Sequence, residues 1–246
     1  MAELQRMPQI LISPEELRMW GLLWLSDNYE EDGSTKNKEA QSFSRKQSMT
    51  FATFIDRAFG ASISHMLGNI PIETPRRDAL IPPLEDCVEV GPVRIIGGIR
   101  PQNFDAAYRP DGPRIVFDSK TLNERKSIGK NWQNMINDLG TEATTVHTRF
   151  PYAIVAFVVV LPKPALEQKQ QHDIQRTLER LGTRRNIIDP PHLAESIALV
   201  VWDPETGEID ASIPTPNSNL RIEEFHTKVE QIYYERYKGL PPHDLQ

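Results

Sequence analysis

Residues 152–161 form an almost wholly apolar run that is rich in valine. A continuous apolar run of this length predicts a strand that is buried on both faces of a sheet. Runs of β-branched residues at 88–99 and 197–202 predict two further strands, and Gly97-Gly98 indicates a bend near the end of the first. These patterns together predict a sheet that lies inside the protein.

Apolar residues at spacings of three and four predict helices along the chain. Ser13-Pro14-Glu15-Glu16 opens the first helix with a capping serine, an initial proline and the glutamate of a capping box. Four further helices are predicted at 39–59, 127–139, 167–181 and 220–237. Residues 27–38 are polar and contain glycine, so they predict an exposed loop.

Residues 103–120 predict two strands joined by a turn. The turn, Arg109-Pro110-Asp111-Gly112, has proline and glycine where a type I turn favours them. If the strands pair antiparallel, Asp105 on the first and Asp118 on the second lie near each other at one end of the sheet. Lys120 follows Asp118 by two residues, so its side chain projects from the same face of the strand. The pattern predicts two carboxylates and one ammonium group in one place.

Two carboxylates and a lysine in one place suit the chemistry of phosphoryl groups. Carboxylate oxygens are ligands that Mg²⁺ prefers, and the ion keeps several waters when it is bound. The ion acidifies a water and stabilises charge on a phosphoryl oxygen, while a lysine orients the water or binds the developing negative charge. Because two acids packed together without a cation repel each other, the cluster predicts a Mg²⁺ site.

The arrangement resembles the PD-(D/E)xK nuclease superfamily, to which many type II restriction endonucleases belong. In that superfamily an acid on one strand precedes an Asp/Glu-x-Lys motif on the next strand. Asp105 matches the first acid, Asp118 the second acid and Lys120 the lysine. The resemblance implies that the backbone carbonyl of Ser119, between the second acid and the lysine, completes the metal shell.

Other residues could also contribute to such a site. The literal Pro-Asp pair is Pro110-Asp111, only seven residues before Asp118, which leaves little room for a turn. Asp105 is therefore the preferred first acid, and Asp111 is the alternative. The resemblance also implies an acid from the preceding helix, with Glu39 and Asp56 as candidates, although such charges more often lie on a solvated helix face. From the following helix it implies polar residues near the site, here Lys130 and Gln133, with a solvated polar face as the equal alternative.

The predicted order of elements agrees with the resemblance over roughly residues 40–161. It is helix, three strands, helix, strand, the α-β-β-β-α-β order of the restriction-endonuclease-like core. We therefore expect an α/β fold in which helices flank a mixed sheet, with added N- and C-terminal helices. A single nuclease domain would span 1–246, with a helical extension at 1–39 and a strand and helix extension at 162–246.

Composition and charge limit the classes of protein to consider. The 246 residues are 39% hydrophobic and 25% charged, which suits a globular protein with a substantial core. The single cysteine argues against disulfides and cysteine-rich zinc sites, and the sequence contains neither a phosphate-binding Walker loop nor a Gly-x-Ser-x-Gly elbow. Without a signal peptide or a membrane span, the chain is expected to be cytoplasmic. A net charge of −6 counts against a polyanionic partner, although a local basic surface can still bind one.

The resemblance implies a Mg²⁺-dependent type II restriction endonuclease that cuts double-stranded DNA as a homodimer, with a cognate DNA methyltransferase as its genetic partner. Two alternatives remain, namely a repair or mobile-element nuclease of the same fold and a non-catalytic DNA-binding module. Basic residues near the site are candidates for holding the DNA, and so is the basic turn after the fourth predicted helix. An exposed turn without a binding role is an equal alternative for the latter. The candidates are Arg100, Arg109, Arg114, Arg125, Lys126, Arg184 and Arg185.

Overall fold

A computed structural model describes residues 3–126 and 128–243 of the chain. It contains a small hairpin, β1 (Asn28–Glu31) and β2 (Ser34–Asn37), and a six-stranded sheet. The strands of the sheet, in their spatial order, are β3 (Ile72–Glu73), β4 (Val88–Ile96), β5 (Pro101–Tyr108), β6 (Ile115–Thr121), β7 (Ile154–Pro162) and β8 (Ser196–Trp202). The helices are α1 (Pro14–Leu25), α2 (Arg45–Met66), α3 (Ile128–His147), α4 (Gln168–Leu181) and α5 (Ile222–Tyr237).

The sheet is mixed, which confirms the predicted α/β class. Strands β4, β5 and β6 are antiparallel neighbours, whereas β6, β7 and β8 run parallel to one another. Helix α2, strands β4 to β6, helix α3 and strand β7 follow each other along the chain as predicted, except that the two-residue strand β3 lies between α2 and β4. None of the helices formed by the described residues is long and apolar enough to cross a membrane.

Helices cover both faces of the sheet. On one face α2 and α5 pack against the strands, and the ring of Phe59 stacks on that of Phe117 with 3.8 Å between centroids. On the other face α3 and α4 bury Leu139 and Ile174 against a second apolar cluster. All nine residues of β7 are buried between these two layers, as the apolar run predicted.

Several boundaries differ from the predicted ones. Residues 27–38 form the exposed hairpin β1–β2 rather than an irregular loop, because their backbones pair in register. Helix α2 begins six residues later than predicted because Ser44 and Gln47 form a capping box in front of it. Helix α3 continues past residue 139 to His147. Its predicted first residue, Ser127, lies outside the described residues.

Helix α1 is fixed to the C-terminal extension by close backbone packing. A Cβ atom on Gly21 would lie 1.7 Å from the carbonyl oxygen of Pro204, in the turn that follows β8. A Cβ atom on Gly207, in the same turn, would lie 1.9 Å from the carbonyl oxygen of Pro14. Since backbone atoms cannot move aside as flexible side chains do, glycine at these positions is what lets helix and turn touch.

Replacing Gly21 by alanine is therefore expected to lower the free energy of unfolding by about 1–3 kcal/mol, as overpacking of a close contact usually does. Urea denaturation followed by circular dichroism would measure it. Gly140→Ala in α3 is the matched control, because its Cβ would meet nothing closer than His192 Cβ at 3.9 Å. That replacement should be neutral or stabilise by up to about 1 kcal/mol. Equal effects of the two replacements would contradict the close contact.

Candidate active site

The candidate site lies where β5 and β6 separate. Their ladder has three residue pairs and ends at Ala106 and Phe117. Beyond it, β5 pairs only with β4, and β6 pairs only with β7. Asp105 and Asp118 are the next residues on the two strands, so the two acids stand at the opening of this fork. The sequence prediction that they share one end of the hairpin is confirmed.

A β-bulge in the neighbouring strand adjusts the position of Asp105. Val90 pairs with Ala106 and Val93 with Phe104, so the two residues Gly91 and Pro92 stand opposite Asp105 alone. Gly91 has φ +133°, a backbone conformation that glycine adopts more readily than other residues.

The bulge has a visible effect on β5. Phe104 and Ala106 belong to apolar clusters on opposite faces of the sheet, so the regular alternation of side chains breaks at Asp105. Bulges of this kind re-aim single side chains next to functional sites. Here the break lets Asp105 reach the backbone of β6.

The contacts of Asp105 join it to the second strand. The backbone N–H of Ser119 donates to Oδ2 of Asp105 at 2.9 Å, and the Ser119 hydroxyl donates to the same oxygen at 3.3 Å. Asp111 has a different role, since it binds the guanidinium of Arg114 at 2.8 and 2.7 Å in the turn. Asp105, rather than Asp111, is therefore the acid that lies beside Asp118.

Lys120 lies between two carboxylates. Its Nζ atom is 2.5 Å from Oδ2 of Asp118 and 2.8 Å from Oε1 of Glu142 on α3. Gln102 Nε2 donates to the same Glu142 oxygen at 3.2 Å. The sequence prediction that Asp118 and Lys120 project together is confirmed.

Glu142 was not among the predicted site residues. It lies about three turns beyond the predicted Lys130 and Gln133, both of which are exposed on α3. A signal for Glu142 existed, because Ala143 and Val146 continue the apolar spacing from Leu139 past the predicted end of the helix. A predicted helix that continued to His147 would have placed Glu142 beside the buried face.

Asp56 on α2 is the additional acid that the sequence left open. It is 6% exposed, and its Oδ1 atom has no hydrogen-bond partner among the described residues. Burial and then the charge of Asp105 raise the pKa of Asp56 to about 8, although a hydrogen bond with Ser119 opposes the shift. Glu39, the other candidate, is exposed and bound to Lys126 instead.

The electrostatics of the site favour a cation. Burial, and then the hydrogen bond and charge of Asp105, raise the pKa of Asp118 well above its usual range despite the nearby Lys120. Burial alone would lower the pKa of Lys120, but the charges of Asp118 and Glu142 raise it above the ordinary value. The single ammonium group of Lys120 is thus outnumbered by the carboxyl groups of Asp105, Asp118 and Glu142. A bound cation would relieve the repulsion between these carboxyl groups.

The side chains of the site suit Mg²⁺. In the part of the chain that the structure describes, no three or more His, Cys, Asp or Glu side chains form a ready-made metal cage. Mg²⁺ is commonly held by one or two carboxylates and several waters, so Asp105 and Asp118 with the Ser119 carbonyl are a sufficient donor set. The orphaned buried oxygen of Asp56 gives a bound ion or its water a further acceptor.

Replacing Asp56 by asparagine is expected to stabilise the metal-free protein at pH 8 by roughly 1–3 kcal/mol. The raised pKa of Asp56 means that the folded state holds its proton to a higher pH than the unfolded state does. The stability associated with that proton is complete at acid pH and is lost as the pH rises through about 8. Urea denaturation in EDTA at pH 5 and pH 8 would test this. An equal effect of the replacement at both pH values would contradict the shift.

The predicted DNA-binding arginines fall into two groups. Arg109, Arg114 and Arg184 are buried, and each binds a carboxylate: Glu89 at 2.5 Å, Asp111 at 2.7 Å and Glu195 at 2.9 Å. Guanidinium groups that are enclosed in this way stabilise the fold, which corrects their prediction as DNA contacts. The other four predicted DNA contacts are exposed: Arg100, Arg125, Lys126 and Arg185.

Arg125 and Lys126 line a cleft of about 500 Å³ next to the C-terminal end of β6.

Comparison of the chain with known protein families, characterised proteins and solved structures gives no match. The geometry of the fork is therefore what indicates the function. Buried acids joined to one lysine can hold a cation and stabilise charge on a substrate oxygen.

Proposed function

We propose that this protein is a Mg²⁺-dependent endonuclease that hydrolyses phosphodiester bonds of double-stranded DNA, and that its α-β-β-β-α-β core is that of the PD-(D/E)xK superfamily. The observation that carries the proposal is the convergence of Asp105, Asp118 and Lys120 where β5 and β6 separate. The resemblance of this motif to type II restriction enzymes makes cleavage at a specific short sequence the function we infer for a cytoplasmic enzyme.

Each residue has a role in this reaction. Asp105, Asp118 and the Ser119 carbonyl would hold Mg²⁺, which when bound supplies an acidified water and charge stabilisation at the phosphoryl oxygen. Lys120 directs its ammonium group at the water or at the oxygens on which negative charge develops. The water oxygen bonds to phosphorus and gives a proton to solvent, while the bond from phosphorus to one bridging ester oxygen breaks and that oxygen takes up a proton from solvent.

The DNA would lie over the exposed basic residues Arg100, Arg125 and Lys126, which can contact phosphates. Arg185 is also exposed, but it lies at the opposite end of the parallel strands, where its backbone carbonyl accepts from Arg236 next to the start of β7. Cleavage of both strands of a palindromic site follows from a two-fold dimer, in which each copy cuts one strand. A restriction enzyme of this kind also requires a DNA methyltransferase of the same specificity to protect the host DNA.

Incubation of the purified protein with unmethylated phage DNA tests the proposal. With Mg²⁺ we expect discrete fragments, and with EDTA none. Sequencing the fragment ends would then give the recognition site. A smear, or a preference for branched DNA, would favour a repair or mobile-element nuclease, whereas DNA binding without cleavage would favour a non-catalytic module. If the protein neither binds nor cleaves DNA, the proposed function is overturned.

A further inference from the structure

Lys120 has two carboxylate partners, although only Asp118 belongs to the motif that carries the proposed function. We propose that Glu142 is a positioning residue, which keeps the ammonium group of Lys120 in place when the carboxylate of Asp118 binds a cation. This inference rests on the proposed function and deepens it, because it assigns the proposed lysine a second anchor from α3.

The geometry of Glu142 suits this task. Its side chain is 5% exposed, and its Oε1 atom accepts from Lys120 at 2.8 Å and from Gln102 at 3.2 Å. Its Oε2 atom is buried and has no hydrogen-bond partner among the described residues. An oxygen left in this state can accept a further N–H from the lysine ammonium, which has three donors.

Glu142 lies on a closely packed part of α3. It lies on α3 beside Leu139 and Ala143, which are 1% and 0% exposed in the core. By contrast, Oδ2 of Asp118 accepts from Lys120 at 2.5 Å, so a cation at that oxygen competes with the ammonium group. Without Glu142, a lysine displaced from Asp118 would swing into solvent, because nothing else with negative charge is hydrogen-bonded to its Nζ atom in the described part of the chain.

Chemical labelling tests the anchor without any nuclease activity. Asp118→Asn mimics a carboxylate that a cation has neutralised, and Glu142→Gln removes the charge of the second anchor. Acylation of lysines by an amine-reactive reagent, followed by mass spectrometry, would report how freely Lys120 reacts, with the exposed Lys130 as internal reference. We expect labelling in Asp118→Asn to stay within about threefold of wild type and to rise at least about tenfold in the double variant.

Labelling in Asp118→Asn that equals the double variant would overturn the proposal. Circular dichroism and unfolding midpoints of each variant would exclude changes due to misfolding. The labelling result also stands if the protein proves to cut no DNA, so failure of the proposed function and failure of the Glu142 anchor are distinguishable.

Kinetics provide the second test. Glu142→Gln should lower kcat by about 10–100-fold and leave KM for DNA within about threefold, since the lysine acts on the transition state. In a Lys120→Met background the same replacement should cost less than about threefold, because its effect passes through the lysine. Because Glu142 is hydrogen-bonded to Lys120 and Gln102 and not to the proposed metal ligands, calorimetric titration with Mg²⁺ should show affinity within about threefold of wild type. A loss beyond that range, or a full kinetic cost without Lys120, would make Glu142 a metal ligand and overturn the positioning role.

Discussion

Replacing Asp118 by asparagine is expected to lower kcat/KM for Mg²⁺-dependent DNA cleavage by about 10³-fold or more. The replacement removes a carboxylate from the proposed metal site and weakens the attachment of Lys120, whose Nζ atom lies 2.5 Å from Oδ2 of Asp118. Initial rates of cleavage on a supercoiled plasmid that carries the recognition site would measure the loss.

The same variant should remain folded. Asp118 is 6% exposed and its pKa is raised by burial and by Asp105, so a neutral side chain fits the metal-free site at least as well as a carboxylate. Loss of the ion pair with Lys120 opposes this gain, and Glu142 still binds the lysine. We expect the free energy of unfolding to change by less than about 1 kcal/mol. Cleavage by Asp118→Asn at the wild-type rate would show that the site is wrongly assigned.

A pair of aspartate replacements identifies the first acid. Asp105→Asn should lower cleavage as strongly as Asp118→Asn does, because both acids stand at the fork. Asp111→Asn is the matched control, since Asp111 binds Arg114 in the turn at the other end of the ladder and its side chain is 63% exposed. Its cleavage rate should remain within about threefold of wild type. The opposite ranking would restore the literal Pro-Asp pair as the metal ligand.

The hairpin and the order of elements could be predicted because their signals are local. The turn at 109–112 has the residues that its conformation favours, and the run at 152–161 is too apolar to lie anywhere but between two layers. Once these were placed, the pairing of strands brought Asp105 and Asp118 together, as the three-pair ladder between β5 and β6 confirms.

The features that escaped prediction depend on contacts between distant segments. The burial of Asp56 follows from the face that α2 turns to the sheet, where Gly60 lies against Val90 of β4. Arg109 finds its partner Glu89 on the neighbouring strand, 20 residues earlier, and no pattern within either segment links the two. Glu142 was not predicted because the helix predicted at 127–139 ends three residues before it, whereas α3 continues to His147.

Glu195 offers the largest expected effect on stability. It is completely buried, and its carboxylate binds Arg184 and Arg236 at 2.9 Å each and the backbone N–H of Val155 at 2.9 Å. His147 places one ring nitrogen 3.1 Å from Glu195 and the other 2.9 Å from the carbonyl oxygen of Pro191. Both ring nitrogens of His147 thus face hydrogen-bond acceptors.

Replacing Glu195 by glutamine should lower the free energy of unfolding by about 3–5 kcal/mol at pH 7, because it leaves buried cations without their anion. Glu31→Gln is the matched control, since its pair with Lys36 is largely exposed and screened by solvent, so its loss should change stability little. Urea denaturation of the two variants and the wild type would measure both effects. A cost for Glu195→Gln no larger than that of the control would contradict a charged network.

The effect should also depend on pH. Burial would raise the pKa of Glu195, but the hydrogen bond and charge of His147, and then the charge of Arg236, lower it below the usual range. A lowered pKa in the folded state gives stability that is present above the pKa of the unfolded chain and is lost as the pH falls through the folded value. The difference between wild type and Glu195→Gln should therefore be constant above pH about 5 and shrink below it.

The two charged clusters differ in a way that separates their functions. Both oxygens of Glu195 have hydrogen-bond partners, whereas Oδ1 of Asp56 and Oε2 of Glu142 have none among the described residues. A carboxylate whose two oxygens both have partners has no acceptor left for a cation, and the unpartnered atom in its cluster, Nε of Arg184, is a donor. Asp56 and Glu142 each keep a free acceptor oxygen, so they retain the capacity for a cation or substrate. Glu195→Gln should accordingly cut DNA at the wild-type rate well below its melting temperature, and Asp118→Asn should be stable and inactive. The reverse pattern would place the chemistry at His147 and Glu195 instead of at the fork.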